Sequence, residues 1–487
     1  MVRPDREKGG TLAHAGLRIP AYAAAVTLAA TTAVLNGGAA GASPPVGSVT
    51  GNGGGYSWGA NEWGQLGNGG GSRGVPGLAG LLTGNVRQFA AGTNFSVAVL
   101  TNGTVLTWGM NSSGTLGDGS TNPRSTPGVV AGLPPISQVS ASPNTVLALG
   151  PGGTVWAWGD NSTQQIGDGT TGTHYTPFQV PGLANMVQVA AGNGFSLALR
   201  DDGKIFGWGA NNLGQLGDGT NIQRASPTPI FGLVTVAQIS AGNSHALGIR
   251  GDGTVWAWGS NGKGELGLGD TGTRFAPAQV PGLTNATSVS AGWRYSLVVA
   301  DPGAAVWAFG WNSNAFGAGL GELGDGSTSD RHSPVRSGTL SGIVQVAAGN
   351  GGANSSAAVG SDGSLWTWGG NVSGQLGIGS EDSNRTSPTK VTGIQGVQQV
   401  AVGYSTDLAI GKPFTTVPKL VGESKFSVPG ILFDAGLFDG NVTNKATANC
   451  SIINTVSGQG LPFGALVPQG TVVSYSVWVK APKANCS

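Results

Sequence analysis

The residues that could do chemistry are sparse. Four carboxylates recur in the phrase Leu-Gly-Asp-Gly or, at Asp168, Ile-Gly-Asp-Gly: Asp118, Asp168, Asp218 and Asp325. A ring of them could hold Ca²⁺, which takes six to eight oxygen ligands per site. Each repeat supplies one Asp only, and the matching positions elsewhere are Asn68, Leu268 and Ile378. Asp-Gly is turn chemistry first, and the further oxygens a calcium site needs are not visible in the phrase. The histidines are His14, His174, His245 and His332, scattered over different segments, and the two cysteines are Cys450 and Cys486. Neither set has metal-ligand spacing. No G-x-S-x-G elbow, H-E-x-x-H pair or phosphate loop is present. The chain is therefore expected to be no enzyme and to need no cofactor or metal.

Side chains suited to binding are more telling. After each Ala-Gly-type step two residues vary: Thr93-Asn94, Asn193-Gly194, Asn243-Ser244, then Trp293-Arg294 with Tyr295 following, and later Tyr404-Ser405. Trp, Arg and Tyr dominate binding hot spots. The Gly-rich loop downstream of Trp293 also carries a six-residue insertion, running from Trp311 through Phe316 to Leu320. Insertions on a rigid scaffold often carry function. Two readings stand for this group. Trp293, Arg294, Tyr295, Trp311, Phe316 and Tyr404 bind a partner, or the region is a locally repacked blade in which Tyr295 fills a core position.

The elements that hold these residues follow from composition and repetition. The chain has 487 residues, among them 89 Gly and 14 Trp, with 39% hydrophobic and only 10% charged residues. That apolar content excludes a disordered polymer, and the glycines keep no three-residue collagen period. Twenty-four basic against 23 acidic residues leave a net charge of +1, which gives no footprint for nucleic acid. Trp58-Gly59, Trp108-Gly109, Trp158-Gly159, Trp208-Gly209 and Trp258-Gly259 are spaced by 50; Phe309-Gly310 and Trp368-Gly369 follow at 51 and 59. Periods of this size mean solenoids or propellers. Phe195 to Leu199 alternates as a half-buried strand, Lys204 to Trp208 is its partner, and Asp201-Asp202-Gly203 is the turn between them. Phe178 to Val180 and Val187 to Val189 supply two more strands, making four per unit, a propeller blade.

Closure follows from counting. The first Trp-Gly strand has no upstream partner and the last Ala-Gly strand, ending at Ile410, has no downstream one. If these halves pair, seven blades close over residues 52–411 and no sheet edge is left open. The pairs Trp156 and Trp158, Trp256 and Trp258, and Trp366 and Trp368 each share a sheet face and read as inter-blade core.

The phrase AG-x-x-[HFY]-S-L-A-L … DG-x-V-x-x-WG-x-N-x-x-GQLG-x-G resembles the regulator of chromosome condensation repeat, over all seven units. His245 stands at the usual His position of that family; Phe95, Phe195 and Tyr295 replace it elsewhere. The resemblance implies a seven-bladed propeller. Its founding member is a nuclear guanine-nucleotide exchange factor that also binds chromatin, and secreted bacterial relatives include a propeller-type β-lactamase inhibitor.

The N-terminus reads as an address. Arg3, Arg6, Lys8 and Arg18 precede an apolar stretch from Ile19 to Leu35 and the small-residue exit Ala40-Gly41-Ala42. This is the order of a secretory signal peptide over residues 1–42, followed by a linker over 43–51. No second run long enough to span a membrane follows. Beyond Gly411, residues 412–487 resemble a PASTA module, a small helix-on-sheet unit. They carry Val417-Pro418-Lys419-Leu420-Val421-Gly422 and a strand from Thr471 to Val479, with Pro429-Gly430 interrupting the usual helix. Some such modules bind peptidoglycan fragments; others only space domains. Cys450 and Cys486 both fall here and are expected to form a disulfide outside the cytoplasm.

The sequence thus predicts a mainly β protein: a seven-bladed β-propeller closed by an N-terminal strand, then a small α+β PASTA-like domain. It is expected to be a secreted or cell-wall-associated monomer that captures a protein or a cell-wall glycan. Two alternatives follow from the resemblance: an inhibitor of a β-lactamase or related hydrolase, or an exchange factor should the chain stay inside the cell.

Overall fold

The structure is a computed structural model. It describes residues 53–313, 320–351, 355–381, 383–412, 414–434, 437–447, 454–463, 466–468 and 471–480. Phe316, Cys450, Cys486 and the expected signal peptide and linker lie outside the described residues, apart from which every expected site residue is placed.

Seven four-stranded antiparallel sheets make up the first part of the chain. Blade four shows how the repeat phrase builds one. Its strands are Met186–Gly192, Phe195–Arg200, Ile205–Gly209 and Arg224–Pro229. The second and third pair from Phe195 with Gly209 to Leu199 with Ile205. Gly203 closes the turn between them at φ +78°, its N–H donating to the Arg200 carbonyl at 2.9 Å, a backbone shape that favours Gly. Gly209 ends the third strand at φ +94°, and a Cβ there would sit 2.6 Å from the Gly194 carbonyl. The Trp-Gly pair is thus a packing residue followed by a position with no room for a side chain.

Burial falls from the first strand to the fourth. Met186–Gly192 is buried except for Val187, whereas no residue of Arg224–Pro229 is buried. The first strands therefore line the centre and the fourth strands the rim. First strands of successive blades touch in cyclic order, and the one at Gln399–Val402 touches the one at Val86–Ala91. That contact closes the ring.

Blade one is the closing blade. It joins Gln399–Val402 and Thr406–Gly411 to Gly54–Gly59 and Arg73–Leu78. Gly54 pairs with Gly411 and Gly59 with Thr406, so the N-terminal strand completes the last sheet as the count of half-phrases requires. Blades two to seven then follow in chain order, from Val86 to Lys390.

Two recurrent polar contacts cross the seams between blades. One is an amide clamp on the first strands. Gln188 Nε2 donates to the Ile239 carbonyl at 2.8 Å while its Oε1 accepts from the Ile239 N–H at 2.9 Å. Gln88 does the same with Val139, Gln138 with Val189, Gln345 with Val400 and Gln399 with Phe89. The other is made by the repeat Trp. Trp208 is fully buried against the preceding blade, and its Nε1 donates to the Gln165 carbonyl at 2.8 Å. Burying an indole demands such an acceptor, and the carbonyl of the repeat phrase Gln-Leu-Gly supplies it.

The remainder forms a smaller unit with a core of its own, including Leu420, Val428, Leu432, Val456, Val473, Tyr475 and Val477. A helix at Val428–Asp434 accompanies a three-stranded sheet in which Val472–Lys480 lies between Phe438–Thr447, parallel to it, and Val456–Gln459, antiparallel. Pro429 falls in the first turn of the helix, where its missing N–H has no intrahelical partner to lose; the helix starts there instead of being interrupted. No helix among the described residues is long and apolar enough to cross a membrane.

Candidate partner-binding face

In a four-stranded antiparallel meander the first-to-second and third-to-fourth connections emerge on the same edge. The variable Ala-Gly loops and the Gly-rich loops after Trp-Gly therefore share one face of the propeller. Trp293, Arg294, Trp311 and Tyr404 all lie on that face.

The Gly-rich loops are rigid. Asn211 is fully buried; its Oδ1 accepts from the Leu216 N–H at 3.0 Å, and its Nδ2 reaches Asp218, Thr220 and Ile222. Asp218 in turn accepts from the Thr220 N–H at 2.9 Å and pairs with Arg224 at 2.6 Å. Burial alone would raise the Asp218 carboxyl, but the Thr220 and Arg224 hydrogen bonds outweigh it and hold it below its ordinary value. Asp118 with Arg124, Asp168 with His174 and Asp325 with Arg331 repeat the pattern. The carboxylates of Leu-Gly-Asp-Gly thus hold their own loops.

Trp293 is partly buried and Arg294 is exposed. The Trp293 N–H donates to the Gly349 carbonyl of blade seven at 3.0 Å. The Arg294 guanidinium lies over the Trp311 ring, 5.7 Å from its centroid, and the Arg294 carbonyl accepts from the Trp311 N–H at 2.8 Å. Trp311 is held in turn: its Nε1 donates to Ser313 Oγ at 3.1 Å, and Ser313 Oγ donates to Asp330 Oδ1 at 3.1 Å. Asp330 also takes the Asn312 N–H at 2.9 Å and Lys263 Nζ at 3.3 Å. Between blades five and six this leaves a cavity of about 200 Å³, lined by Leu213, Ser244, Lys263, Glu265, Trp293 and Arg294 among others.

Glu265 stands where most repeats have Gln. It is 2% exposed; its Oε2 accepts from the Lys263 N–H at 2.6 Å and its Oε1 from Ser260 Oγ at 3.4 Å. Burial raises its carboxyl above the ordinary value, with the Arg294 charge among the opposing influences.

Tyr295 departs from the expectation of a surface anchor. It is 0% exposed in the core between blades six and seven. Its hydroxyl donates to the Ser355 carbonyl at 2.8 Å and accepts from the Gly349 N–H at 2.9 Å. The reason is register: Tyr295 begins the second strand, pairing with Gly310, as His245 does with Gly259, and that position points into the seam. Tyr404 is partly buried. It packs on Gly351 of blade seven, where a Cβ would come into its ring, so the buried residues 349–351 touch Trp293 at one end and Tyr404 at the other.

Two exposed residues extend this sector beyond those the sequence singled out. Trp63, in the Gly-rich loop of blade one, is 46% exposed, and Val372, in that of blade seven, is 69% exposed. Aligning the residues after each Trp-Gly-x-Asn would have found Trp63, because Ser113, Thr163 and Ser373 occupy its place in other repeats. Blades two and three present Thr93-Asn94 and Pro143-Asn144 on the same face. The aromatic side chains of these loops, Trp63, Trp293, Trp311 and Tyr404, therefore come from blades six and one, on either side of blade seven.

Comparison with known proteins agrees with the ring. Residues 24–351 match the RCC1-like domain and residues 362–410 the regulator of chromosome condensation (RCC1) repeat. Prp20p from Saccharomyces cerevisiae, whose structure was reported with its binding properties to Gsp1p and histones, is similar at 24% identity and TM-score 0.65, over 75% of this chain and 92% of that one. Human WBSCR16 is similar at 23% identity and TM-score 0.64, over 74% of this chain and 99% of that one. At these identities the likeness is one of fold. With the family's domain matched over most of its length and the repeat again at its end, the chain belongs to the RCC1-like domain family.

Proposed function

We propose that this chain is an exported, non-enzymatic binding scaffold that captures a protein on the face bearing the Ala-Gly and Gly-rich loops. The observation that carries this is the asymmetry of that face. A propeller of near-identical repeats has no structural need for Trp63, Trp293, Arg294, Trp311 and Tyr404 in one sector when small polar residues serve in another. Aromatic and Arg side chains at the centre of a patch are the composition of protein interfaces. The apolar stretch and small-residue exit at the N-terminus support export, and the helix-and-sheet unit after the propeller is suited to hold the protein at the cell wall.

A photocrosslinking residue tests this directly. Placed at Tyr404 in cells that secrete the chain, it is expected to give a discrete protein adduct, while at Thr163, on the same face across the ring, it gives none. Equal labelling at both positions, or none at Tyr404, would sink the proposal. Co-sedimentation with purified peptidoglycan, comparing residues 43–487 with 43–411, tests the wall association: only the longer form is expected to pellet.

A further inference from the structure

We infer that Arg294 is the anchor for a carboxylate, an Asp or Glu side chain presented by the captured protein. This rests on the protein-binding reading of the same face and adds the chemistry of what is bound.

The argument begins with what the other loop cations do. Arg124, Arg224 and Arg331 each meet the Asp of their own repeat, and Lys263, on the wall of the same cavity, is engaged by Asp330. Arg294 has no such partner among the described residues. Glu265 is the carboxylate nearest in the cavity, but it takes its hydrogen bonds from Lys263 and Ser260 of its own loop. Residues 314–319 of the neighbouring loop, Asn-Ala-Phe-Gly-Ala-Gly, contain no acid.

Arg294 is also positioned. Its guanidinium lies on Trp311, whose indole is fixed through Ser313 to Asp330, and its carbonyl is tied to the Trp311 N–H. A guanidinium held over an aromatic ring has less freedom left to lose when it binds. A carboxylate accepts such a fork through two parallel hydrogen bonds. Trp311 beneath the guanidinium and Trp293 on the wall of the same cavity bring apolar surface beside the charge, as at interfacial Arg hot spots. The sector is too broad for a free carboxylate ion, since the same face also carries Tyr404 and the exposed Trp63 of blade one. An acidic residue on a protein surface matches both the cation and the aromatic rim.

The test uses the full chain and fluorescein-labelled hexaglutamate, hexaglutamine and hexalysine peptides, read by anisotropy at physiological salt. Hexaglutamate is expected to bind at least about tenfold more tightly than hexaglutamine, the discrimination that about 1.4 kcal/mol provides. Arg294→Gln, an exposed substitution, should abolish that preference. Glu265→Gln, which restores the commoner repeat residue and removes a nearby negative charge, should strengthen it. Lys204→Gln, in the turn on the opposite face, should leave it unchanged. No saturable binding of hexaglutamate, a preference that survives Arg294→Gln, an equal loss in Lys204→Gln, or tighter binding of hexalysine would each overturn the inference. If the adduct at Tyr404 still forms while the acidic preference is absent, capture of a protein stands and the carboxylate anchor fails. If both are absent, the two fail together.

Discussion

Trp58 and Gln375 are separated by 317 residues of chain, yet the Trp58 indole Nε1 donates to the Gln375 carbonyl at 2.8 Å. This is the same bond that Trp108, Trp158, Trp208, Trp258 and Trp368 make across the other seams, and here it joins the first repeat strand to the last complete blade. Trp58→Phe keeps an aromatic ring but loses the buried hydrogen bond and part of the indole's volume, which should cost about 1–3 kcal/mol. Trp58→Ala leaves a cavity at the closing seam and should cost about 3–5 kcal/mol. Urea unfolding checks both. Equal losses in the two variants would mean that shape and the hydrogen bond are not separable as argued.

Each Gly-rich loop depends on its buried Asn. Asn211→Ala strands the Leu216 N–H and frees the Asp218 turn, so it should destabilise the chain by about 1–3 kcal/mol, the usual effect of leaving a buried polar group without its partner. Asn221→Ala, in the same loop and exposed with no side-chain partner among the described residues, should change stability by less than about 0.5 kcal/mol. Thermal unfolding of the two variants side by side is the measurement.

Much of this architecture is legible because backbone constraints repeat. Gly203 and Gly209 must be Gly for conformational and steric reasons, and the Trp must pack against the preceding blade, so the phrase recurs from repeat to repeat. The closing strand is legible for the same reason, as an unpaired half-phrase beginning at Trp58. The face was decidable from topology, since alternate connections of a meander share an edge. Tyr295 shows what is harder. Its neighbours Trp293 and Arg294 suggest a surface cluster while its alignment with His245 suggests a core position, and the pairing with Gly310 decides for the core. The link from Arg294 to Trp311 crosses two loops of one blade, and no local pattern encodes it.

His245 is buried, and desolvation lowers its imidazole from 6.5 to about 3. In the unfolded chain it takes up a proton near its ordinary value, so the unfolded state binds more protons between pH 6.5 and 3. The stability due to neutral His245 is therefore full above pH 6.5 and lost progressively as pH falls toward 3, at about 1.4 kcal/mol per pH unit within the window. His245→Phe, the residue found at Phe95 and Phe195, removes this dependence. The wild-type-minus-variant stability should drop by about 2 kcal/mol between pH 7 and pH 5. A flat difference would show that His245 titrates normally in the fold.

Asp407 has the opposite sign. It is 0% exposed in the closing blade, its Oδ1 accepts from Ser355 Oγ at 3.4 Å, and its Oδ2 has no partner among the described residues. Burial raises its carboxyl well above the ordinary value, so the folded state holds a proton that the unfolded state releases. Its effect is least unfavourable at low pH and worsens as pH rises through the ordinary carboxylate range. Asp407→Ser, matching Ser196 and Ser296 at the equivalent strand position, should raise stability at pH 7, with the gain shrinking as pH falls toward 4. A variant less stable at pH 7 would mean that Asp407 is ion-paired rather than merely buried.

The seam between blades five and six lacks both recurrent contacts. Phe309 occupies the Trp position and has no indole N–H to give the Glu265 carbonyl, and neither amide atom of Gln238 has a partner among the described residues, although Gln238 is only 1% exposed. Ser240 Oγ still accepts the Ala291 N–H at 2.8 Å, Ser296 Oγ donates to the Glu265 carbonyl at 2.7 Å and lies 3.0 Å from His245 Nε2, and Lys263 still meets Asp330, so the seam loses its two repeated contacts but is not open. A closed ring should part first where repeated inter-blade bonds are missing, because local opening follows the local deficit of contacts. Native-state hydrogen exchange should therefore show the Ser288–Ala291 strand less protected than Met186–Gly192, whose seams carry clamps on both sides. Gln238→Leu removes two stranded polar atoms and should raise protection of Ser288–Ala291, whereas Gln188→Leu, which breaks a formed clamp, should lower protection at Val236–Ala241. Faster exchange in Gln238→Leu would show that the Gln238 amide is satisfied by water in the fold and that the seam is as strong as its neighbours.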